Sequence, residues 1–362
     1  MSETLQYKCP CCGGAIEFDS KTQNMKCPYC DTEFDIETLK SYDEALNTIT
    51  ADEMEWNEES QNVWNDEEND NVHIYSCKSC GGEIVGDENT AATECPYCGN
   101  PVVMMGKLSG DLKPDLVIPF KLDKKAAKEG LMKHLEKKPF LPKIFKTENK
   151  IDEIKGIYVP FWLHDADVDA DIRYRATRVR TWSDGNYRYT KTSYYSVIRG
   201  GSIGFINVPA DGSTKMPDDL MESLEPYNMD EAVDFQTAYL SGFFADKYDV
   251  TSSDSKERVN SRIKESTEEE FGRTVIGYTS VITENSRIAL KNQKTKYALY
   301  PVWLLNTTYK GEKYTFAMNG QTGRFVGNLP IDNGAYFKWL SLLTAGIGAL
   351  MFGISYLVHI FN

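Results

Sequence analysis

Apolar and polar residues alternate along much of the second half of the chain, with the period of two that is typical of β-strands. The segments "GIYVPFWLHDADVDADIRYRATRVRTW" and "GNYRYTKTSYYSVIRG" predict two long strands around an "SDGN" turn. A later segment, "KYALYPVWLLNTTYKGEKYTFAMNGQTGRFVGNLP", predicts a meander with turns at "YKGE" and "NGQTG". The runs "YVPFWL" and "LYPVWLL" match at Pro160 with Pro301 and at Trp162 with Trp303, which suggests two related strand modules.

Helical signals interrupt these strands. A strand that ends at Pro119 precedes a helix of about fifteen residues, which begins at Asp123 and is stopped by Pro139. The segment "SSDSKERVNSRIKESTEEEF" predicts a polar helix between the strand modules. Nearer the N-terminus, four apolar residues share roughly one face of a short helix: Ile36, Leu39, Leu46 and Ile49.

The segment after this short helix has no apolar period and is strongly acidic. Residues 31–72 carry fifteen Asp or Glu against one Lys, so they account for the whole net charge of −14. We interpret residues 35–72 as an acidic helix followed by a disordered tether. Trp56 and Trp64 are expected to be stray aromatics of a solvated linker, with docking anchors as the alternative.

The last segment is the most apolar part of the chain. From Trp339 to Phe361, twenty-three residues include no Asp, Glu, Lys or Arg. As a helix they would span roughly 34 Å, which is enough for the hydrocarbon core of a bilayer. The segment therefore predicts a single transmembrane helix within residues 337–361, the alternative being a helix buried in a soluble core.

Small residues recur every four positions along this helix. They form one predicted helix-pairing stripe: Ser341, Ala345, Ala349 and Gly353. Such stripes allow close packing of helices in membranes, although small residues are common in membrane spans for other reasons. Self-association through this helix, or pairing with a partner helix, is left open.

All nine cysteines precede residue 100, and eight of them form a repeat. The blocks "YKCPCCGGAI" with "KCPYCDTEF" and "YSCKSCGGEI" with "ECPYCGNPV" superpose at an offset of 68 residues. The two predicted sets of metal ligands are Cys9, Cys12, Cys27 and Cys30, and Cys77, Cys80, Cys95 and Cys98. Two Cys-x-x-Cys turns present four soft ligands in a tetrahedron, so the spacing predicts two structural Zn²⁺ ions.

Several alternatives accompany the zinc sites. A single Cys-x-x-Cys pair often forms a redox dithiol or disulfide, but four pairs at repeated spacing favour metal. Cys11 has no counterpart in the second block and is expected to be a passive neighbour, with slippage of the metal onto it left open. Asp31 stands where the other turns have glycine, and Asp tolerates the left-handed backbone better than most residues.

Charge and motifs argue against several classes of function. The acidic block would repel a phosphate backbone and no basic stripe is visible, so nucleic acid is not the expected partner. There is no Walker A sequence, and His73, His134, His164 and His359 sit in no catalytic or metal-binding spacing. The aspartates of "HDADVDAD" share a strand face on which a divalent cation is conceivable, but a solvated face is favoured. We therefore expect no enzymatic activity.

The two cysteine blocks resemble zinc ribbons of the kind found in transcription factor IIB. Together with "VIPFKLDKK", "GIYVPFWL", "EPYNMDEAVDFQTAYLSGFFADKYDV" and the terminal helix, the chain looks like a bacterial family of membrane-anchored double zinc-ribbon proteins. Some members resemble partners encoded beside phage-shock protein A and SPFH-type membrane proteins. The resemblance implies a role in envelope-stress assemblies at the membrane.

These signals predict a multidomain protein with two small β zinc ribbons, an α+β strand-rich central domain and one C-terminal transmembrane helix. The expected limits are 1–34 for the first ribbon, 73–106 for the second, and 107–330 for the central domain. The expected function is that of a non-catalytic membrane scaffold that recruits protein partners. The alternative is a membrane-tethered regulator that binds nucleic acid.

The expected location is the cell membrane, crossed once, with the bulk of the chain in the cytoplasm. The start of the chain lacks a secretory signal, and zinc thiolates need a compartment in which thiols stay reduced. Lys338 precedes the span, as expected for a cytoplasmic flank. Since one residue follows Phe361, the sequence also predicts a tail anchor.

Overall fold

The computed structural model describes residues 7–47, 51–56, 62–64, 72–87, 94–107, 112–136, 138–142, 145, 154–327 and 330–361. These residues form two compact units, each assembled from separate stretches of the chain. Unit 1 comprises Met1–Glu59, His164–Val208 and Lys256–Lys294, and unit 2 comprises Ser60–Leu163, Pro209–Ser255 and Thr295–Asn362. The domain limits expected from the sequence stay predictions.

Unit 1 begins with a small three-stranded sheet. Strands β1 (Glu17–Asp19), β2 (Asn24–Lys26) and β3 (Glu33–Phe34) pair antiparallel in that order. Helix α1 (Ile36–Asn47) follows, and Asp35 caps it by accepting the backbone N–H of Thr38 at 2.7 Å. Leu39 of α1 is buried against Cys9, Cys11 and Ile16 of the ribbon.

Unit 2 carries the second ribbon. Strands β4 (Val72–Ser76), β5 (Glu83–Asp87) and β6 (Val103–Lys107) pair around β4, with a register shift between β4 and β6. Two-residue strands β7 (Leu116–Val117) and β10 (Val233–Asp234) pair antiparallel, and β11 (Phe244–Asp246) pairs with β5. Through β11 the ribbon strands continue into a larger sheet instead of forming one of their own.

The predicted long strands are confirmed. Strands β8 (Lys155–Asp184) and β9 (Tyr187–Asp211) form a hairpin. Strand β12 (Ser280–Tyr309) pairs antiparallel with β13 (Glu312–Asn319), which in turn pairs with β14 (Phe325–Gly327). Within the described residues the sheet has the order β10-β7-β12-β8-β11-β5-β4-β6, with β9, β13 and β14 attached to it.

The predicted helices are also present. Helix α2 (Lys124–Glu136) begins after Asp123, whose carboxylate accepts the N–H of Ala126, and it buries Ala127, Leu131 and Leu135. Helix α3 (Asp218–Leu224) is short, and α4 (Ser252–Arg273) is the polar helix between the strand modules. Thr251 and Asp254 exchange hydrogen bonds at the start of α4, which is a capping-box arrangement.

Helix α5 (Asn333–Phe361) contains the apolar C-terminal segment. Among the described residues it is the one helix long and apolar enough to cross a membrane, and none of its stretch Asn333–Ile354 is buried. An exposed apolar helix of this length is costly in water, because each side chain leaves its apolar area in contact with solvent. Ser341, Ala345 and Ala349 are exposed, and Gly353 is partly exposed.

The expectation for Trp56 is wrong. Its indole is 7% exposed, donates to Asn260 Oδ1 at 2.8 Å and packs edge-on against His164 at 4.7 Å within unit 1. The backbone of Glu53 forms an isolated parallel β-bridge with Ala289 of β12. Acidic side chains of this stretch form ion pairs, and the Asp52 carboxylate lies 2.6 Å from Lys264 Nζ. Residues 51–56 are therefore held by the Trp56 ring, by backbone hydrogen bonds and by ion pairs. None of these contacts produces a periodic pattern of apolar residues, so the sequence did not reveal them.

Trp64 also acts as an anchor, within unit 2. Its ring lies 5.7 Å from that of Phe235, edge-on, and it packs against the cluster around Val117 and Leu299. The backbone of Val63 beside it bridges to Leu112. The description of both tryptophans as stray aromatics of a solvated linker therefore fails.

The two strand modules of unit 2 share more than the Pro and Trp matches. Pro160 O accepts the N–H of Gly212 at 2.9 Å, and Pro301 O accepts the N–H of Gly320 at 2.8 Å. Each indole, of Trp162 and Trp303, donates to a backbone carbonyl at 2.9 Å.

The returning strands of the two modules end alike. Asp211 accepts the N–H of Ser213 through its side chain, and Asn319 accepts the N–H of Gln321 in the same way. The repeat seen in the sequence thus extends to the "ADGST" and "MNGQT" segments that close each hairpin.

The repeat gives a matched pair of substitutions. Gly320→Ala is expected to destabilise the protein by about 1–3 kcal/mol, because the added Cβ would lie 2.6 Å from Phe120 Cδ1 and 2.9 Å from Pro301 Cβ. At Gly212 the nearest atom to an added Cβ is Pro160 O at 3.2 Å, so Gly212→Ala should cost less. Urea unfolding of the full-length protein in detergent, followed by tryptophan fluorescence, compares the two; equal midpoints would contradict this packing.

Candidate metal centres

The structure brings together the eight cysteines that the sequence selects, in two separate groups. Within each group the four sulfurs lie within 4.8 Å of one another. The first group lies in unit 1 and contains Cys9, Cys12, Cys27 and Cys30; the second lies in unit 2 and contains Cys77, Cys80, Cys95 and Cys98. The protein thus has two four-thiol sets that can hold metal ions.

The sulfur positions have the same pattern in both groups. Cys9 and Cys30 are 3.6 Å apart and Cys12 and Cys27 are 3.5 Å apart. The equivalent pairs of the second group, 77 with 98 and 80 with 95, are separated by 3.5 and 3.6 Å. These contacts join cysteines of different turns, which is the arrangement of a shared ion and not of separate redox pairs.

The separations fit a tetrahedral thiolate site. Four sulfurs at about 2.3 Å from a central Zn²⁺ have edges of about 3.8 Å. The observed contacts of 3.5 and 3.6 Å are within a few tenths of an ångström of that edge. A small adjustment of the side chains would therefore be enough to seat an ion in either set.

Each Cys-x-x-Cys turn is built by the same two backbone hydrogen bonds. The N–H of the first cysteine donates to the carbonyl five residues later, and its own carbonyl accepts the N–H four residues later. In the second ribbon these bonds join Cys77 to Gly82 and Gly81, and Cys95 to Asn100 and Gly99. All four turns share this geometry because the ligand spacing is the same.

The turn requires a left-handed residue just after its second cysteine. Gly13, Gly81 and Gly99 have φ of 76°, 70° and 72°, and Asp31 has φ of 57°. Asp31 therefore takes the conformation that the sequence required of it, and its carboxylate lies 3.2 Å from Lys26. The departure from glycine leaves the second turn of the first ribbon, Cys27 to Cys30, as regular as the others.

Burial and hydrogen bonding act in opposite directions on the thiols. Burial raises the pKa of Cys9 and of Cys95, because the thiolate form is poorly solvated there. The Thr32 hydroxyl, 3.2 Å from the Cys30 sulfur, is the main cause that lowers the pKa of Cys30 to about 6.

Cys98 occupies the equivalent position in the second set. Burial acts to raise its pKa, but the hydrogen bonds that its sulfur makes with the backbone and side-chain amides of Asn100 and with the Cys77 and Cys80 thiols together lower the pKa to about 6. The side-chain amide donates to the Cys98 sulfur at 3.4 Å. In each set, the residue two positions after the last cysteine forms a hydrogen bond with that cysteine's sulfur. These residues, Thr32 and Asn100, differ in type but correspond at the offset of 68 residues.

Cys11 lies outside the first group, as expected. It is buried beside Cys9, and its carbonyl accepts a hydrogen bond from Arg175 at 3.4 Å within unit 1. The residue belongs to the contact between the ribbon and β8.

Each aspartate of "HDADVDAD" contacts its own protein partners. Asp165 accepts the N–H of Asn207, Asp167 accepts from the side-chain amide of Asn292, and Asp169 accepts from Ser202 and Lys291. Asp171 lies 3.5 Å from Arg287. The residues between them, Ala166, Val168, Ala170 and Ile172, are buried, as predicted. In the described part of the chain, the grouped metal-ligand side chains are those of the two cysteine sets.

The comparisons with known proteins give one informative match. A curated protein of Bacillus subtilis strain 168, described as the uncharacterized protein YdjG, is 34% identical over 342 residues, which are 94% of this chain and 95% of the relative. No family model and no solved structure matches the chain.

Metal content tests the two sets directly. Elemental analysis of the full-length protein is expected to find two ions per chain, because each set offers four thiols. Cys98→Ser should remove one ion, whereas Cys11→Ser should leave both. One ion in the unmodified protein, or loss of an ion in Cys11→Ser, would contradict the assignment.

Proposed function

The chain belongs to the family of the Bacillus subtilis protein YdjG, and from that premise we propose that it is a zinc-binding, membrane-anchored scaffold without catalytic activity. Two structural Zn²⁺ ions hold the ribbons, helix α5 holds the chain in the membrane, and the rest of the chain recruits protein partners. The resemblance to double zinc-ribbon proteins points to an envelope-stress assembly as the setting.

Thiolate chemistry supports zinc as the metal. Zn²⁺ prefers four soft ligands in a tetrahedron and has no redox chemistry, which suits a site whose task is to fix the backbone. Each ribbon has few buried apolar residues; for the first they are Ile16, Leu39 and the cysteines themselves. A core of that size folds poorly without a metal, so binding of the ion is part of folding.

The observation that carries the scaffold proposal is that each site is closed. All four positions of a tetrahedral ion are taken by cysteine sulfur, so a substrate or an activated water has no place in the first coordination shell. Catalytic zinc sites keep such a position open. The ions are therefore structural, and the surfaces that they stabilise carry the function.

Thiol chemistry also supports the orientation. Eight cysteines that bind metal must remain reduced, and this requirement supports a cytoplasmic location of the ribbons. Helix α5 then crosses the bilayer once, because its unburied stretch Asn333–Ile354 is long enough for the hydrocarbon core. The stripe of small residues along α5 offers a face for a second helix.

The alternative is a membrane-tethered regulator that binds nucleic acid. One observation favours it, namely a cluster of exposed arginines and aromatic rings at the end of the β8–β9 hairpin. The net charge of −14 opposes it.

Affinity purification of the full-length protein from detergent-solubilised membranes separates the two functions. The scaffold proposal predicts that the same partner proteins co-purify before and after nuclease treatment, that Cys98→Ser loses them, and that the matched Cys11→Ser keeps them. Partners that disappear on nuclease treatment, or a salt-sensitive shift of oligonucleotides by the purified protein, would overturn the scaffold in favour of the regulator.

A further inference from the structure

The β8–β9 hairpin ends in a segment that no other element of the described residues covers. Every residue from 179 to 192 is exposed. The strand that follows α4 reaches the hairpin near this level, where Val179 N–H donates to the Thr279 hydroxyl at 3.0 Å. A two-stranded ribbon is marginally stable in water, so a long exposed hairpin end gains stability from a surface that it can contact.

One face of this end combines cations with aromatic rings. Side chains alternate between the faces of a strand, and one face carries Asp184 at the turn together with six cationic or aromatic residues, Arg178, Arg180, Trp182, Tyr187, Tyr189 and Lys191. The rings confirm the shared face, since Trp182 and Tyr189 stack at 5.5 Å and Tyr187 lies 6.5 Å from Tyr189. We call these six residues the hairpin-tip face.

The rings of the hairpin-tip face are unusually open to solvent. Trp182 is 50% exposed, Tyr187 70% and Tyr189 42%. Such rings have an apolar body and a polar edge, a combination that is enriched where a bilayer meets water. Their exposure in a folded protein marks an interaction surface.

The charge of this segment is opposite to that of the protein as a whole. Residues 178–191 carry four Lys or Arg against one acid, Asp184, in a chain of net charge −14. Arg178 already has partners within the protein, because its guanidinium donates to Gly277 O and lies 5.5 Å from the centre of the Tyr195 ring. Arg180 and Lys191 are exposed.

We infer that the hairpin-tip face docks on the surface of a bilayer that contains anionic lipids. The cations attract the anionic headgroups, and the rings insert at the level where headgroups meet acyl chains. The inference rests on the proposed anchor in one respect: α5 would hold the chain at the membrane and so raise the effective concentration of the surface.

The setting favours lipid over nucleic acid. The proposed anchor α5 would keep the chain at a bilayer, and the net charge of −14 opposes the binding of a phosphate backbone in solution. Trp182 and the two tyrosines share their face with cations, a combination that suits the boundary between anionic headgroups and acyl chains.

Hydrogen–deuterium exchange of the full-length protein in nanodiscs tests this docking. In phosphatidylcholine nanodiscs that also contain phosphatidylglycerol, the amides of residues 178–191 are expected to exchange severalfold more slowly than in pure phosphatidylcholine. High salt should remove the difference, because it screens exposed charges. Arg180→Glu combined with Lys191→Glu should remove it too, and Trp182→Ala should reduce it. Arg188→Glu is the control, because Arg188 lies on the opposite face and should leave most of the protection.

Equal exchange in the two nanodiscs would overturn the inference, as would a loss of protection in Arg188→Glu equal to that in the Arg180→Glu and Lys191→Glu double variant. Oligonucleotide binding that requires Arg180 and Lys191, without lipid protection, would assign the face to nucleic acid instead. If the protein does not enter nanodiscs, the proposed anchor fails, and flotation with phosphatidylglycerol vesicles decides the hairpin separately: flotation that the double variant abolishes supports docking, and its absence refutes it.

Discussion

Four thiols held within 4.8 Å of one another, and partly buried, can ionise together only if a cation compensates their charge. This constraint determines the shape of both ribbons. Each cysteine pair must sit on a tight turn, and each turn needs a left-handed residue after its second cysteine. Backbone amides of the turns then point back toward the sulfurs, as those of Cys11 and Cys12 do toward Cys9. The apolar contacts of each ribbon are then arranged around the sulfurs and do not form an independent core.

The same knuckles serve two different settings. The first ribbon has its own three-stranded sheet and is joined to α1 through Leu39, whereas the strands of the second continue into a larger sheet through β11. Tyr29 and Tyr97, which correspond at the offset of 68 residues, show this difference. Tyr29 is 75% exposed, whereas Tyr97 packs against the core of unit 2. The two copies of the cysteine sequence thus support different surroundings.

Local chemistry could be predicted from the sequence, and long-range docking could not. The ligand sets, the tolerance of Asp31 for its backbone conformation, the "SDGN" hairpin, the capped helix at Asp123 and the buried alternation after Asp165 all depend on neighbours within a few residues. Trp56 was misjudged because its partners, Asn260 and His164, lie far away in the chain. The cationic hairpin end was missed for a similar reason, since β-pairing brings together residues that appear scattered in the sequence and that the acidic segment outweighs in the total charge.

In the proposed function, each set of four cysteines binds one zinc ion with all four sulfurs. Zinc K-edge X-ray absorption of the full-length protein, as isolated and without added metal, measures this coordination shell directly. The expected result is a single shell of four sulfurs at about 2.3 Å with no nitrogen or oxygen ligand. A shell with fewer than four sulfurs per zinc, or with a nitrogen or oxygen ligand at about 2.0 Å, would mean that at least one site is open or incomplete and would contradict the structural role assigned to both.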